Sequence, residues 1–250
     1  MSSPYVQVEC QSNNASGDIF VDFAATVFPP ERHSVLTALK ASYWSKRSHL
    51  PTRPPSVIFV GIYGVSRLHM ARSLPETRKF ALKNDFIEFK GFTKTASKNY
   101  GNMMAMLQGS HHPRRECSRN VYKEPLDNCP FIWKNFSDMH YITGLVEDAP
   151  SLSMFNYMKI GFCKQPVHYY PRTFMAAAHV HLKGKRTHGL PRNCFNGLDL
   201  SGSIFNYTHK FLQEIAGKSP YFLVTAFRTL PPGALGLMVS WPDCFNCSSQ

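Results

Sequence analysis

Four short apolar runs recur along the chain: Ser56–Ile62, Phe86–Phe92, Tyr141–Val146 and Tyr221–Phe227. Each is rich in β-branched and aromatic residues and is bounded by Pro, Gly or polar clusters, the pattern of short buried strands. The segments between them carry helical spacing. Arg67 to Leu82 reads as a helix with a second piece beginning at Pro75, and Asn102 to Gln108 as a helix stopped by Gly109. Pro130 to Met139 opens with Pro at a helix start, and Phe174–Leu182 and Ser203–Ala216 are further helices. Strands alternating with helices predict an α/β protein whose parallel sheet is covered on both faces.

The first fifty residues have a different texture. Tyr5 to Cys10 alternates, and Ile19 to Phe28 is β-branched and aromatic before Pro29 and Pro30 end it, so a small N-terminal β appendage is expected. Arg47 to Pro55, with Pro51, Pro54 and Pro55, reads as a linker. Residues 1–50 are thus expected to form the appendage and linker, residues 51–227 the core, and residues 228–250 an irregular tail. Gly109 to Cys129 is polar, Pro-containing and rich in His and Arg, the composition of a long surface loop.

Composition narrows the classes. At 250 residues with 43% hydrophobic content the chain can bury one sizeable core. It has no apolar run of the roughly eighteen residues a membrane helix needs, and Met1 to Cys10 lacks the pattern of a signal peptide. The formal charge of +12 predicts attraction to polyanions. The basic residues fall in short groups (Lys46-Arg47, Arg114-Arg115, Lys183 to Arg186) with no dedicated nucleic-acid motif, and a sulfated glycan is an equally good partner. Seven cysteines are too dispersed for a zinc module, since Cys244 and Cys247 form a C-x-x-C pair that no second pair answers. Asn14, Asn135, Asn206 and Asn246 each begin an N-glycosylation sequon, and sequons together with several cysteines lean toward an oxidising compartment.

Several segments together resemble one family. Val60 to Arg67, Asn99 to Gly109, Cys129 to Phe136, Glu147 to Tyr157 and Gly161 to Tyr170 are similar, in this order, to the animal family called domain of unknown function 229, a branch of the alkaline phosphatase and sulfatase superfamily. The resemblance covers residues 50–227. It implies a partial alkaline-phosphatase-like α/β/α sandwich, in which divalent metals at the strand ends flank a nucleophile that attacks phosphate or sulfate esters. It also implies an extracellular or secretory-pathway location.

Against that pattern the chemistry-bearing positions are substituted. Tyr63 stands where the family's first metal-binding Asp is expected, and a neutral phenol is a poor replacement for an anionic oxygen. Asn99 stands at the nucleophile position, where an amide cannot form a covalent ester intermediate. Gly101 replaces a Pro. Nothing like the family's later Asp/His segment follows Phe227, so the expectation is a truncated, inactive member that binds no metal, with Pro231 to Gln250 poorly ordered.

The remaining candidates each have two readings. Glu147 and Asp148, at a strand's C-terminal end, are a remnant site or a structural capping pair. His179 and His181 would share a face in a strand but diverge by about 200° on a helix. His111 and His112, beside Arg114 and Arg115, form an anion-binding loop or a solvated one. Ser66 and Arg67 cap and pin the helix after the first strand. Trp133, Phe136, Phe155, Tyr157 and Phe162 read as core. Two rivals to the inactive member stay open: a residual metal-dependent phosphate or sulfate ester hydrolase, and a basic binding module for anionic glycan or nucleic acid.

Overall fold

The computed structural model describes residues 5–11, 19–50, 53–112, 117–148, 150–183, 186–187, 190–191, 194–195 and 198–228. Strands β1 (Tyr5–Gln11) and β2 (Ile19–Ala25) form an antiparallel ladder running from Tyr5↔Ala25 to Gln11↔Ile19. Helices α1 (Pro30–His33) and α2 (Val35–Ser45) follow, then β3 (Val57–Ile62), α3 (Arg67–Ser73), α4 (Pro75–Lys83) and α5 (Asn99–Gln108). After α6 (Ile132–Asp138) come β4 (Ile142–Glu147) and α7 (Arg172–Lys183). Two short antiparallel ladders pair Arg186–Thr187 (β5) with Leu190–Pro191 (β6) and Cys194–Phe195 (β7) with Leu198–Asp199 (β8). Helix α8 (Leu200–Ile215) and strand β9 (Tyr221–Phe227) complete the described chain.

The central sheet is parallel, in the order β3-β9-β4. The last strand in sequence therefore lies in the middle, and from Phe222 to Phe227 every residue of it is buried. A strand covered on both faces has no polar side to alternate with, which is why Tyr221–Phe227 is a continuous apolar run. Gly144 in β4 is a close-approach position: a Cβ there would lie 2.7 Å from Leu223 Cδ1. One face of the sheet carries Ile142, Val146, Leu223 and Phe227 against Phe174, Met175, Ile204 and Phe211 of α7 and α8, together with Phe23 and Val27. The other carries Leu145, Val224 and Ala226 against Met104, Leu107, Phe131, Trp133 and Phe155.

The fold departs from the pattern of apolar runs in two places. The run Phe86–Phe92 is not a strand. It is irregular, and Phe86, Ile87, Phe89 and Phe92 stand 64–79% exposed. Alternation supplies a strand's side chains but not its hydrogen-bonding neighbour, and among the described strands none pairs with it. The N-terminal segment, expected to be extended, also contains α2. Ser34 caps that helix, its Oγ accepting the Thr37 N–H at 3.2 Å. The indole N–H of Trp44 donates to the His140 carbonyl (3.0 Å) and Lys40 Nζ donates to Ser137, so α2 docks on the α6–β4 junction.

Cys117 and Cys129 form a disulfide that closes the loop between α5 and α6, and Cys163 is a free, exposed thiol. No described helix is long and apolar enough to cross a membrane.

Candidate functional site

In a parallel sheet the strand ends that point the same way gather their following residues at one rim. Tyr63 follows β3, Glu147 ends β4 with Asp148 after it, and Arg228 follows β9. The backbone continues the ladder past the strands: Tyr63 N–H donates to the Phe227 carbonyl (3.0 Å) and Asp148 N–H to the Ala226 carbonyl (3.3 Å). Asp148 is fully buried; its carboxylate accepts the Arg228 backbone N–H at 2.8 and 2.9 Å and the Ser201 hydroxyl at 3.0 Å. Arg228 is thereby fixed at the rim. Its guanidinium donates to the Leu152 carbonyl (2.6 Å) and lies 5.9 Å from the Tyr63 ring centroid and 5.7 Å from that of Tyr157.

Glu147 accepts the Met154 backbone N–H through Oε1 at 2.6 Å, while Oε2 is buried without a hydrogen-bond partner. Burial pushes its carboxyl up to about 7, against the Met154 hydrogen bond and the Arg172 charge, which favour the anion. The Tyr63 hydroxyl is also buried and unpartnered, and burial, reinforced by the nearby Glu147 charge, holds it above the ordinary phenol range. The Tyr170 hydroxyl and Arg172 Nε are two further buried polar atoms without a partner. Burial raises Tyr170 as well, with Glu147 again contributing.

Beside this rim opens a cavity of about 670 Å³ lined by Lys98, Asn99, Tyr100, His111, His112, Tyr157, Lys159 and Arg228, with no Asp or Glu among its described lining residues. The first turn of α5 is part of its lining, and Lys98, the residue before the helix, makes no side-chain cap. The preceding loop is held by Asn102, whose Oδ1 accepts the Thr95 and Ala96 N–H groups (2.8 and 3.0 Å) and whose Nδ2 donates to the Ala96 and Lys98 carbonyls (2.8 and 2.9 Å). Gly101 lets that loop approach, since a Cβ there would lie 2.6 Å from Ala96 Cβ. Lys159 Nζ sits 4.4 Å from the Tyr100 ring centroid and donates to the Tyr157 carbonyl at 3.0 Å. Burial lowers its pKa, and the like charges of Lys98 and Arg228 lower it further.

The structure therefore brings Asn99, His111 and His112 together around one cavity, and Tyr63, Glu147 and Asp148 together at the adjoining rim. Arg228 belongs to both groups. Ser66 caps α3, its Oγ accepting the His69 N–H at 3.1 Å, and Arg67 pairs with Glu88. Trp133 and Phe155 are buried, but Tyr157, read as core, is 42% exposed and lines the cavity. His179 and His181 both lie on α7. Asn135 is exposed on α6 and Asn206 is half-buried on α8, both away from the cavity, while Asn14 and Asn246 lie outside the described residues, as does Pro231 to Gln250.

Arg228, Lys159, Tyr170, Arg172 and Asn102 were not singled out by the sequence. The placement of Arg228 was available from position alone, as the residue directly after the central strand. Lys159 and Asn102 were not, because their roles depend on loops that no periodicity describes.

A mixed α/β protein with a small parallel sheet and a basic cavity at its strand-end rim is the class these observations define. The chain belongs to the family described as protein of unknown function (DUF229), which matches over residues 1–230 and so includes the N-terminal hairpin and α2. No curated protein and no solved structure matches the chain.

Proposed function

We propose that this chain is a non-hydrolytic, alkaline-phosphatase/sulfatase-like protein that holds a sulfate- or phosphate-bearing group, as on an anionic glycan, in the cavity at the start of α5 without transferring it. The observation that carries the reading is the lining: Lys98, Lys159 and Arg228 converge on a cavity with no lining carboxylate among the described residues, at a helix start without a side-chain cap. Burial, and then the neighbouring Lys98 and Arg228 charges, lower the pKa of the Lys159 ammonium, and an oxyanion in the cavity supplies the opposite charge.

The absence of turnover rests on the residues at the two chemical positions. Asn99 offers an amide where attack on an ester needs a hydroxyl or thiol. The divalent metals implied by the superfamily do not fit the donors present: Tyr63 is a buried phenol held protonated, Glu147 Oε1 is engaged by Met154, and no group of three or more His, Cys, Asp or Glu among the described residues could hold a metal ion. The chain's own groups therefore bind and orient. Arg228 is aimed by Asp148, Lys98 is placed by Asn102, and Lys159 is placed by the Tyr157 carbonyl. The Cys117–Cys129 disulfide supports an extracellular or lumenal setting for such a ligand.

The test is calorimetric titration of the purified chain with a heparin oligosaccharide and with inorganic sulfate and phosphate, beside turnover assays on aryl phosphate and aryl sulfate with zinc, calcium or manganese. Binding that weakens roughly tenfold or more in Arg228→Ala and Lys159→Ala, with no turnover, is the expected result. Turnover that disappears in Asn99→Ala would overturn it, and so would binding indifferent to both cation substitutions.

A further inference from the structure

Residues 67–94, from α3 through α4 to the irregular run 86–92, contain no buried residue at all. Yet this segment holds seven large apolar side chains (Leu68, Phe80, Leu82, Phe86, Ile87, Phe89 and Phe92), each between 56% and 79% exposed. Single exposed apolar residues are ordinary, but seven within one short segment amount to a surface that water is a poor solvent for. It is also a built surface. Arg67 on α3 pairs with Glu88, the Phe80 and Phe86 rings meet at 6.2 Å, and Asn84 Nδ2 donates to the Phe80 carbonyl at 2.8 Å, so the run 86–92 is tied back onto both helices.

Charge decides what fits it. The same segment carries seven Lys and Arg (Arg67, Arg72, Arg78, Lys79, Lys83, Lys90, Lys94) against three Asp and Glu, so basic and aromatic residues are interleaved. A second copy would bring the same excess of positive charge to the contact. A bound peptide would want a groove, whereas the cavity beside α5 takes none of these side chains in its lining. Exposed Phe and Ile side chains flanked by Lys and Arg match a bilayer interface, with rings at the headgroup boundary and cations on anionic headgroups.

We infer that residues 67–94 form a docking surface for an anionic lipid membrane, in which Phe86, Phe89 and Phe92 enter the interface and Lys83, Lys90 and Lys94 meet the headgroup charge. The surface is separate from the cavity at α5, so the two can be tested independently.

The experiment is co-sedimentation of the full chain with vesicles of phosphatidylcholine alone and of phosphatidylcholine with phosphatidylserine, at low and high salt. Two variants are run alongside: Phe86→Ser with Phe89→Ser and Phe92→Ser, and Lys83→Gln with Lys90→Gln and Lys94→Gln. The expected result is pelleting with the phosphatidylserine vesicles, reversal by salt, and a loss of about tenfold or more in either variant. None of the six side chains is buried, so the urea unfolding midpoint, measured in parallel, should stay in place for both variants. Failure to pellet with phosphatidylserine vesicles overturns the proposal, as does undiminished pelleting of the Phe variant. Self-association in sedimentation velocity that the Phe variant abolishes, or retention of the chain by an immobilised acidic polypeptide without vesicle binding, assigns the surface to a protein contact and overturns it equally.

Discussion

Glu147 and His168 are two buried titratable groups that burial moves in opposite directions. Glu147 is raised to about 7, so the folded chain binds a proton there that the unfolded chain has already released. Its contribution to stability is fully present below the unfolded carboxyl value and is lost as pH rises through about 7. His168 is pushed down to about 4 by burial, with the Lys40 and His33 charges adding to the effect. Its Nδ1 lies 3.0 Å from the Thr143 N–H, which donates to it, so a second proton on the ring would break that bond. This contribution is present above the unfolded imidazole value and is lost as pH falls toward about 4. Between those limits the two slopes oppose, and substitutions separate them. Urea unfolding of Glu147→Gln should lose the decline that runs from the unfolded carboxyl value up to about 7, and unfolding of His168→Gln should lose the acid decline. Each effect should be on the order of 3 kcal/mol across its window. Parallel stability–pH curves for both variants and the parent chain would disprove the assignment.

Among the elements, the loop ahead of α5 depends on one side chain. Asn102 satisfies four backbone groups of residues 95–98, and Lys98 enters the cavity from that loop. Asn102→Ala should weaken oxyanion binding in titration while costing about 1–3 kcal/mol in urea unfolding, because groups it now pairs would be left facing the helix end. Unchanged affinity in a folded variant would separate the loop from binding. How far the elements were legible follows from what makes each one. β4 and β9 could be read because strands covered on both faces are continuous apolar runs, and β3, although Ile58 and Val60 on one of its faces are exposed, because it is a short β-branched and aromatic run after a Pro-rich stretch. The break at Pro75 and the stop at Gly109 (φ 77°) could be read because those residues have few conformations or uncommon ones. Phe86–Phe92 has a strand's composition but no pairing neighbour among the described strands, and pairing is not a local property. The helix α2 was missed because Leu36 and Leu39 point to solvent and Thr37 and Lys40 are buried, the reverse of what an apolar stripe announces. The rim residues Tyr63, Glu147 and Asp148 were found from the resemblance and from strand ends. The cations that define the cavity lie on loops, where sequence order says little about proximity.

At the scale of the whole molecule the charge of +12 is a standing cost, since like charges repel more strongly in the compact chain than in the unfolded one. The ion pairs Arg67–Glu88 and Lys218–Glu214 are at exposed side chains, where solvent and salt screen them. A polyanion that occupies the cavity relieves the repulsion and, by binding the folded chain alone, shifts unfolding by mass action. At a hundredfold excess over its dissociation constant the shift is about 2.7 kcal/mol. The thermal midpoint should therefore rise with a heparin oligosaccharide at low ionic strength. The rise should shrink at high salt, and it should fall by more than half in a Lys98→Ala, Lys159→Ala, Arg228→Ala variant, which removes three charges of twenty-eight. If the stabilisation came from diffuse surface charge alone, losing three of twenty-eight cations would leave nearly all of it. A midpoint shift that survives in the triple variant would then place the polyanion on the general surface and not in the cavity.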